Sequence, residues 1–175
     1  MPRFVALLRG INVGGNTMLK MSDLKPCLER AGLDNVVTYI NSGNIGFDSD
    51  RSESDLIGVA EAAIATEFER QVPVMIRSRS DVVRIISANP FDGEFESHKE
   101  MHVLFLKDEM PLDKQQQLIE AATPPERFAI VGREIYCHLP MGVADSLLGK
   151  SYIEKKLKLA VTARNWRTVQ KLVEL

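Results

Sequence analysis

The chain has 175 residues, of which 45% are hydrophobic and 26% charged, and its net charge is −2. That is the balance of an ordinary globular protein able to bury a core. No apolar run approaches the roughly 20 residues that span a bilayer, and residues 1–4 lead into a strand-like run with no signal-peptide pattern. No membrane partner and a cytoplasmic location are therefore expected, with Cys27 and Cys137 as reduced thiols.

The first apolar run, residues 4–8, reads as a central strand buried on both faces. Ser22-Asp23 then looks like a helix cap with an acidic first turn, and Gly32 ends that helix. Residues 36–40 and 45–48 read as strands joined by Asn41-Ser42-Gly43-Asn44, a strong turn signal. Leu56, Val59, Ala60, Ala63, Ile64 and Phe68 fall at helical spacing. A strand over 72–76 follows, then a short helix capped at Ser80-Asp81. The order is β-α-β-β-α-β with one further helix, the split β-α-β pattern of ferredoxin-like folds.

The stretch from Asn89 to Lys99 is rich in Pro, Gly and charge, and residues 93–100 read as a linker between a first half (1–92) and a second half (101–175). The second half starts alike. Residues 101–106 form an apolar strand, Pro111 opens a helix, and 128–131 and 134–139 pair across Gly132-Arg133. Ser151 to Glu154 reads as a capping box. No closing strand is evident, because Thr162 reads as the cap of a final helix. The expected class is thus α+β: two ferredoxin-like halves, the second lacking a clear closing strand and ending in extra helices.

Charge is unevenly spread. Residues 150–175 hold seven basic and two acidic side chains, a net +5, which leaves −7 on the other 149 residues. On a helix after Thr162, Arg164, Arg167 and Lys171 would form a stripe opposite Trp166, Val169 and Val173. Such a stripe grips phosphates or an acidic partner, or is a solvated face favoured by the helix dipole. His98, His102 and His138 show no metal-ligand spacing. Adjacent Cys137 and His138 point to opposite faces of a strand. No metal and no cofactor are implied.

The connection from the first strand to its helix is oversized. Such connections usually have about 2–6 residues, and this one has twelve, including Gly10, Gly14 and Gly15. It is no Walker loop, since Gly15 is followed by Asn16 rather than Lys. In β-α-β-β topology this connection and the Asn41 to Asn44 turn share one end of the sheet, with Arg9 beside them. One reading makes it a site for an anion. The other makes it a tie in which Asn side chains satisfy loop backbone groups.

Residues 6–15 (ALLRGINVGG), 38–44 (TYINSGN) and 162–169 (TARNWRTV) resemble the mainly bacterial domain-of-unknown-function family numbered 1697, over nearly the whole chain. Relatives in that family often carry a basic residue where this chain has Asn16, and Gln where it has Asn41. The resemblance implies that three distant motifs matter, and assigns no activity.

Three functional readings follow. The first is a binding module for an anionic or phosphorylated small molecule or nucleic acid, using Arg9, Asn12, Gly14, Gly15, Asn41, Ser42, Asn44, Lys150, Arg164 and Asn165. The second is structural: the motifs lock the two halves together. The third is an enzyme acting on a small polar substrate in a cleft between halves, for which the sequence offers no clear nucleophile or base.

Overall fold

A computed structural model describes residues 1–12 and 18–175. Two compact units emerge: Met1–Val83 together with Lys171–Leu175, and Arg84–Gln170. Each contains a four-stranded antiparallel sheet. Among the described residues there are six α-helices, and such mixed α and β structure is what the hydrophobic periodicities call for.

The first unit runs β1 (Arg3–Leu8), α1 (Met21–Arg30), β2 (Asp34–Tyr39), β3 (Asn44–Asp48), α2 (Glu53–Phe68) and β4 (Val74–Ser78), with sheet order β2-β3-β1-β4. Alternation along the strands sends Phe4, Ala6 and Leu8, Ile45 and Phe47, and Val74 and Ile76 to one face. There they meet Leu24 and Leu28 of α1 and Leu56, Ala60 and Ile64 of α2 in one core. The i, i+4, i+8 spacing of the α2 residues explains why this segment is a helix with one buried stripe. Its start is fixed by Ser52, whose side chain accepts a hydrogen bond from the Asp55 amide at 3.2 Å. Val5, Leu7, Met75 and Arg77 alternate to the other face and are also buried. On that face Arg3 Nε donates to the Leu175 carbonyl at 2.8 Å.

Helix α3 (Arg79–Ser87) leads onward in sequence. The second unit continues with β5 (Met101–Leu106), α4 (Leu112–Ala121), β6 (Arg127–Val131), β7 (Glu134–His138), α5 (Tyr152–Lys155), β8 (Val161–Asn165) and α6 (Trp166–Lys171), and a 3-10 turn closes the chain at Leu172–Glu174. The sheet order is β6-β7-β5-β8, the same pattern as in the first unit. Its core joins Leu104, Leu106, Ile135, Cys137 and Val161 to Leu118 of α4 and Ile153 of α5. His138 lies on the opposite face of β7 from Cys137, with Phe91 stacked on it at 5.7 Å between ring centroids. Also on that face, the Tyr136 hydroxyl donates to the Ile85 carbonyl at 2.6 Å.

The main correction concerns the end of the second unit. A closing strand exists: β8 pairs antiparallel with β5 from His102↔Asn165 to Leu106↔Val161. Thr162 lies inside it, opposite Phe105, and not at a helix start. The cap is Asn165, whose Oδ1 accepts from the Thr168 amide at 3.0 Å. The sequence VTARN hides its strand character because Thr162 and Arg164 alternate onto a face where they are buried. Neither looks apolar, so the alternation that betrays a half-buried strand is absent. The basic stripe disappears with the long helix: Arg164 is a strand residue, and α6 has six residues.

Two helix starts also differ. Helix α1 begins at Met21 behind Lys20, with no side-chain cap. Ser151 stands before α5 in the left-handed region at φ 55° and makes no capping bond. Its backbone amide instead donates to the Leu148 carbonyl in the preceding turn.

Candidate functional site

The end of the first sheet where β1 stops gathers five of the eight sequence-marked residues that the structure describes. The pairing Leu7↔Asn44 puts the end of β1 beside the β2–β3 turn. The Leu8 amide donates to the Gly43 carbonyl at 2.9 Å, and the Arg9 amide to the Pro73 carbonyl at 3.0 Å. Arg9, half-buried, therefore stands where β1, the β2–β3 turn and the approach to β4 come together.

Asn12 is the joint of this region. Its Oδ1 accepts from the Leu19 amide at 2.7 Å. Its Nδ2 donates to the Leu19 carbonyl at 2.9 Å and to the Asn41 carbonyl at 2.6 Å. One side chain thus joins residues 12 and 19 and ties them to the turn. Asn12 has φ 55°, a left-handed conformation that Asn tolerates better than most residues. Ile11 and Leu19 flank the joint and are buried in the core. Gly14 and Gly15 lie outside the described residues.

The turn is braced from within. Asn44 is fully buried, and its Nδ2 donates to the Tyr39 carbonyl at 3.1 Å and to Ser42 Oγ at 3.0 Å. Gly43 has φ +84°, and a Cβ there would lie 2.7 Å from Leu8 Cβ and 2.9 Å from Ile11 Cδ1. Both the dihedral and the crowding require glycine. Asn41 is exposed and Ser42 half-exposed at the rim. So Arg9, Asn12, Asn41, Ser42 and Asn44 share one end of one sheet. Within that group the Asn12 and Asn44 amides are engaged by the protein's own backbone.

The other three marked residues belong to the second unit. Lys150 is exposed on the crossover between β7 and β8. Asn165 ends β8 as the α6 cap. Arg164 is buried, with Nη1 donating to Thr162 Oγ1 at 2.7 Å and to the Ala163 carbonyl at 2.8 Å. Burial lowers its guanidinium from the usual 12.5 to about 10, which still leaves it charged at neutral pH.

Sequence reading missed Arg77, which repeats this arrangement in the first unit. Arg77 is the fourth residue of β4 and pairs with Val5; Arg164 is the fourth of β8 and pairs with Val103. Arg77 Nη1 donates to the Ile76 carbonyl at 2.9 Å, again the preceding residue. The next residue caps a helix in both units: Ser78 Oγ accepts from the Asp81 amide at 3.1 Å, as Asn165 does from Thr168. The shared pattern Val-x-x-Arg-(Ser/Asn) was the available signal. It is short, and an arginine inside a buried strand contradicts the usual expectation for charge.

The thiols lie outside this chemistry. Burial pushes Cys27 up to about 11, with the neighbouring Glu67 carboxylate adding to the shift, and burial raises Cys137 further. A thiol held protonated is a poor nucleophile.

Comparison with known proteins places this geometry in a family. A family model described as a protein of unknown function, DUF1697, matches residues 1–136. No curated protein matches the chain. Among solved structures, the chain is similar to the conserved bacterial protein SP0830 from Streptococcus pneumoniae. The two share 25% identity and a TM-score of 0.81, over 99% of this chain and 97% of that one.

Proposed function

The chain belongs to the DUF1697 family of unknown function, and we propose that its first unit binds a phosphate-bearing anion at the end of the sheet that carries Arg9, Asn41 and Ser42. The observation behind this is the triple bonding of Asn12. It fixes the described ends of an unusually long connection, at residues 12 and 19, against a short turn, next to a half-buried cation. Ordering such a segment costs entropy, and a site whose geometry is set beforehand loses less on binding. In this reading Asn12 and Asn44 are framework. Arg9 supplies charge, with the exposed Asn41 beside it at the rim. The three-motif ligand set thereby narrows to its first-unit members.

Phosphate can come from a small molecule or from a nucleic-acid backbone, and the test has an arm for each. Pyrophosphate is titrated calorimetrically, and a labelled single-stranded RNA by anisotropy at several salt concentrations. Arg9→Ala is expected to weaken the operative ligand by about tenfold or more, the effect of one charge-assisted contact. RNA gripped through several phosphates would show log affinity falling with log salt by about 0.7 per phosphate. Unchanged affinity in Arg9→Ala, or no binding in either arm, rejects the proposal.

A second reading is purely structural: the motifs brace the fold and take no ligand. The bonds of Asn12 to the Leu19 and Asn41 backbone, and of Asn44 Nδ2 to the Tyr39 carbonyl and Ser42 Oγ, favour it. Strong destabilisation by Asn12 variants together with silence in both titrations is its signature. The common strand order of the two units supports reading each as ferredoxin-like and the pair as an ancient duplication.

A further inference from the structure

The helix-bearing face of each sheet is covered partly by the crossover that precedes the last strand. In the first unit that crossover carries α2, sixteen residues long, with Leu56, Ala60 and Ile64 buried. In the second unit it carries only α5, four residues long. The remainder is loop, but a pinned one. Buried Ser146 donates to the Val143 carbonyl at 2.6 Å and accepts from the Gly149 amide at 3.2 Å. Buried Glu126 accepts from the Leu147 amide at 2.9 Å.

Loop fills space less completely than a helix, and a cavity of about 300 Å³ remains. Its floor is His102 and Leu104 of β5 with Val161 and Ala163 of β8; its other walls include Val143, Leu148 and Glu154 of the crossover. The volume lies at the small end of the range for ligand pockets, roughly 300–1,000 Å³. Its walls follow the pattern of such sites: an apolar lining with few polar groups. Here those are one imidazole and one carboxylate.

The imidazole is the second observation. His102 is the second residue of β5 and pairs with Cys137; the second residue of β1 is Phe4, which pairs with Phe47. Phe4 stacks on Phe47 inside the first core, at 5.8 Å between ring centroids. The second unit therefore has a polar ring where the first has an apolar one. His102 Nδ1 is buried without a hydrogen-bond partner, a cost that a phenyl ring would not incur. Burial, and secondarily the charge of His98, hold this histidine below its ordinary value. The ring is neutral at pH 7 and does not repel a cation.

We propose that this cavity is a binding site for a compact primary amine with an apolar body. The body lies on Leu104, Val161 and Ala163, the ammonium faces the Glu154 carboxylate, and one of its N–H groups donates to the His102 imidazole. A carboxylate as the charged wall selects for cations and against anions, which separates this site from the phosphate site proposed above.

Benzylamine, benzyl alcohol and benzoate serve as probes, titrated into the full chain and followed by amide NMR. Benzylamine is expected to shift resonances of residues 102–104 and 161–163, while benzoate shifts none of them. Glu154→Gln should weaken benzylamine by about tenfold, one charged hydrogen bond, and leave benzyl alcohol within about twofold. His102→Phe, which installs the residue found in the first unit, and Ala163→Met, which fills the floor, should each abolish binding of both. The second variant decides the matter if the first fails to fold. Absence of localised shifts with benzylamine, equal response to benzoate, or binding that survives in Ala163→Met overturns the proposal.

Discussion

Replacing Asn12 separates what its backbone conformation contributes from what its side chain does. Asn12→Gly keeps φ 55° accessible and deletes three hydrogen bonds, two with Leu19 and one to the Asn41 carbonyl. A net contribution of about 0.5–1.5 kcal/mol per bond applies. The residue is only half-buried, so the lower half of that range is appropriate, giving a loss of about 2 kcal/mol. Asn12→Ala loses the same bonds and, unlike the glycine variant, keeps a Cβ in the left-handed region without an Asn amide to compensate, which costs roughly 1–2 kcal/mol more than glycine. Alanine should therefore be the worse variant, at about 3–4 kcal/mol, a large share of a stability of about 5–15 kcal/mol. Equilibrium urea unfolding measures both, with unchanged slopes showing that the denatured state is not altered. A glycine variant less stable than the alanine variant, or either within about 0.5 kcal/mol of the parent, would refute the bonding scheme assigned to this joint.

Two glycines should respond to alanine with opposite sign. Gly43→Ala puts a Cβ 2.7 Å from Leu8 Cβ at φ +84° and should cost about 2–4 kcal/mol by chemical denaturation. Gly58 lies within α2 with nothing inside 4 Å of its added Cβ, so Gly58→Ala should stabilise by about 0.5–1 kcal/mol. Acidification tests His102 and His138. Burial lowers both His102 and His138, with Arg127 adding to the effect at His138 against the opposing Glu100 and Glu94. The unfolded chain therefore takes up these protons first, near pH 6.5. Stability should be full above that pH and fall as pH drops below it toward the folded-state values. His102→Phe should flatten part of this slope in urea titrations at pH 5 and 7; an unchanged slope would show that His102 is not held neutral by the fold.

Local signals carried much of the fold. The continuous run FVALL determined a central strand, because only a strand buried on both faces is apolar at every position. The spacing of Leu56, Ala60 and Ile64 determined α2, and Asn-Ser-Gly-Asn the turn. The topology those elements imply brought the long connection and that turn to one end of the sheet, where Asn12 and Asn41 are joined.

Tertiary structure alone decided the rest. VTARN became a strand because β5 offered an unpaired edge to bond to, and because Thr162 and Arg164 could be buried with partners. A chain read one window at a time contains neither fact. The same holds for the side chains of Asn12 and Asn44: a sequence shows that amides are present, but only the folded backbone determines that its own carbonyls claim them. The cavity beside His102 is the furthest from local information. It depends on how little of a sheet a four-residue helix covers, a property of the packed unit and of no single segment.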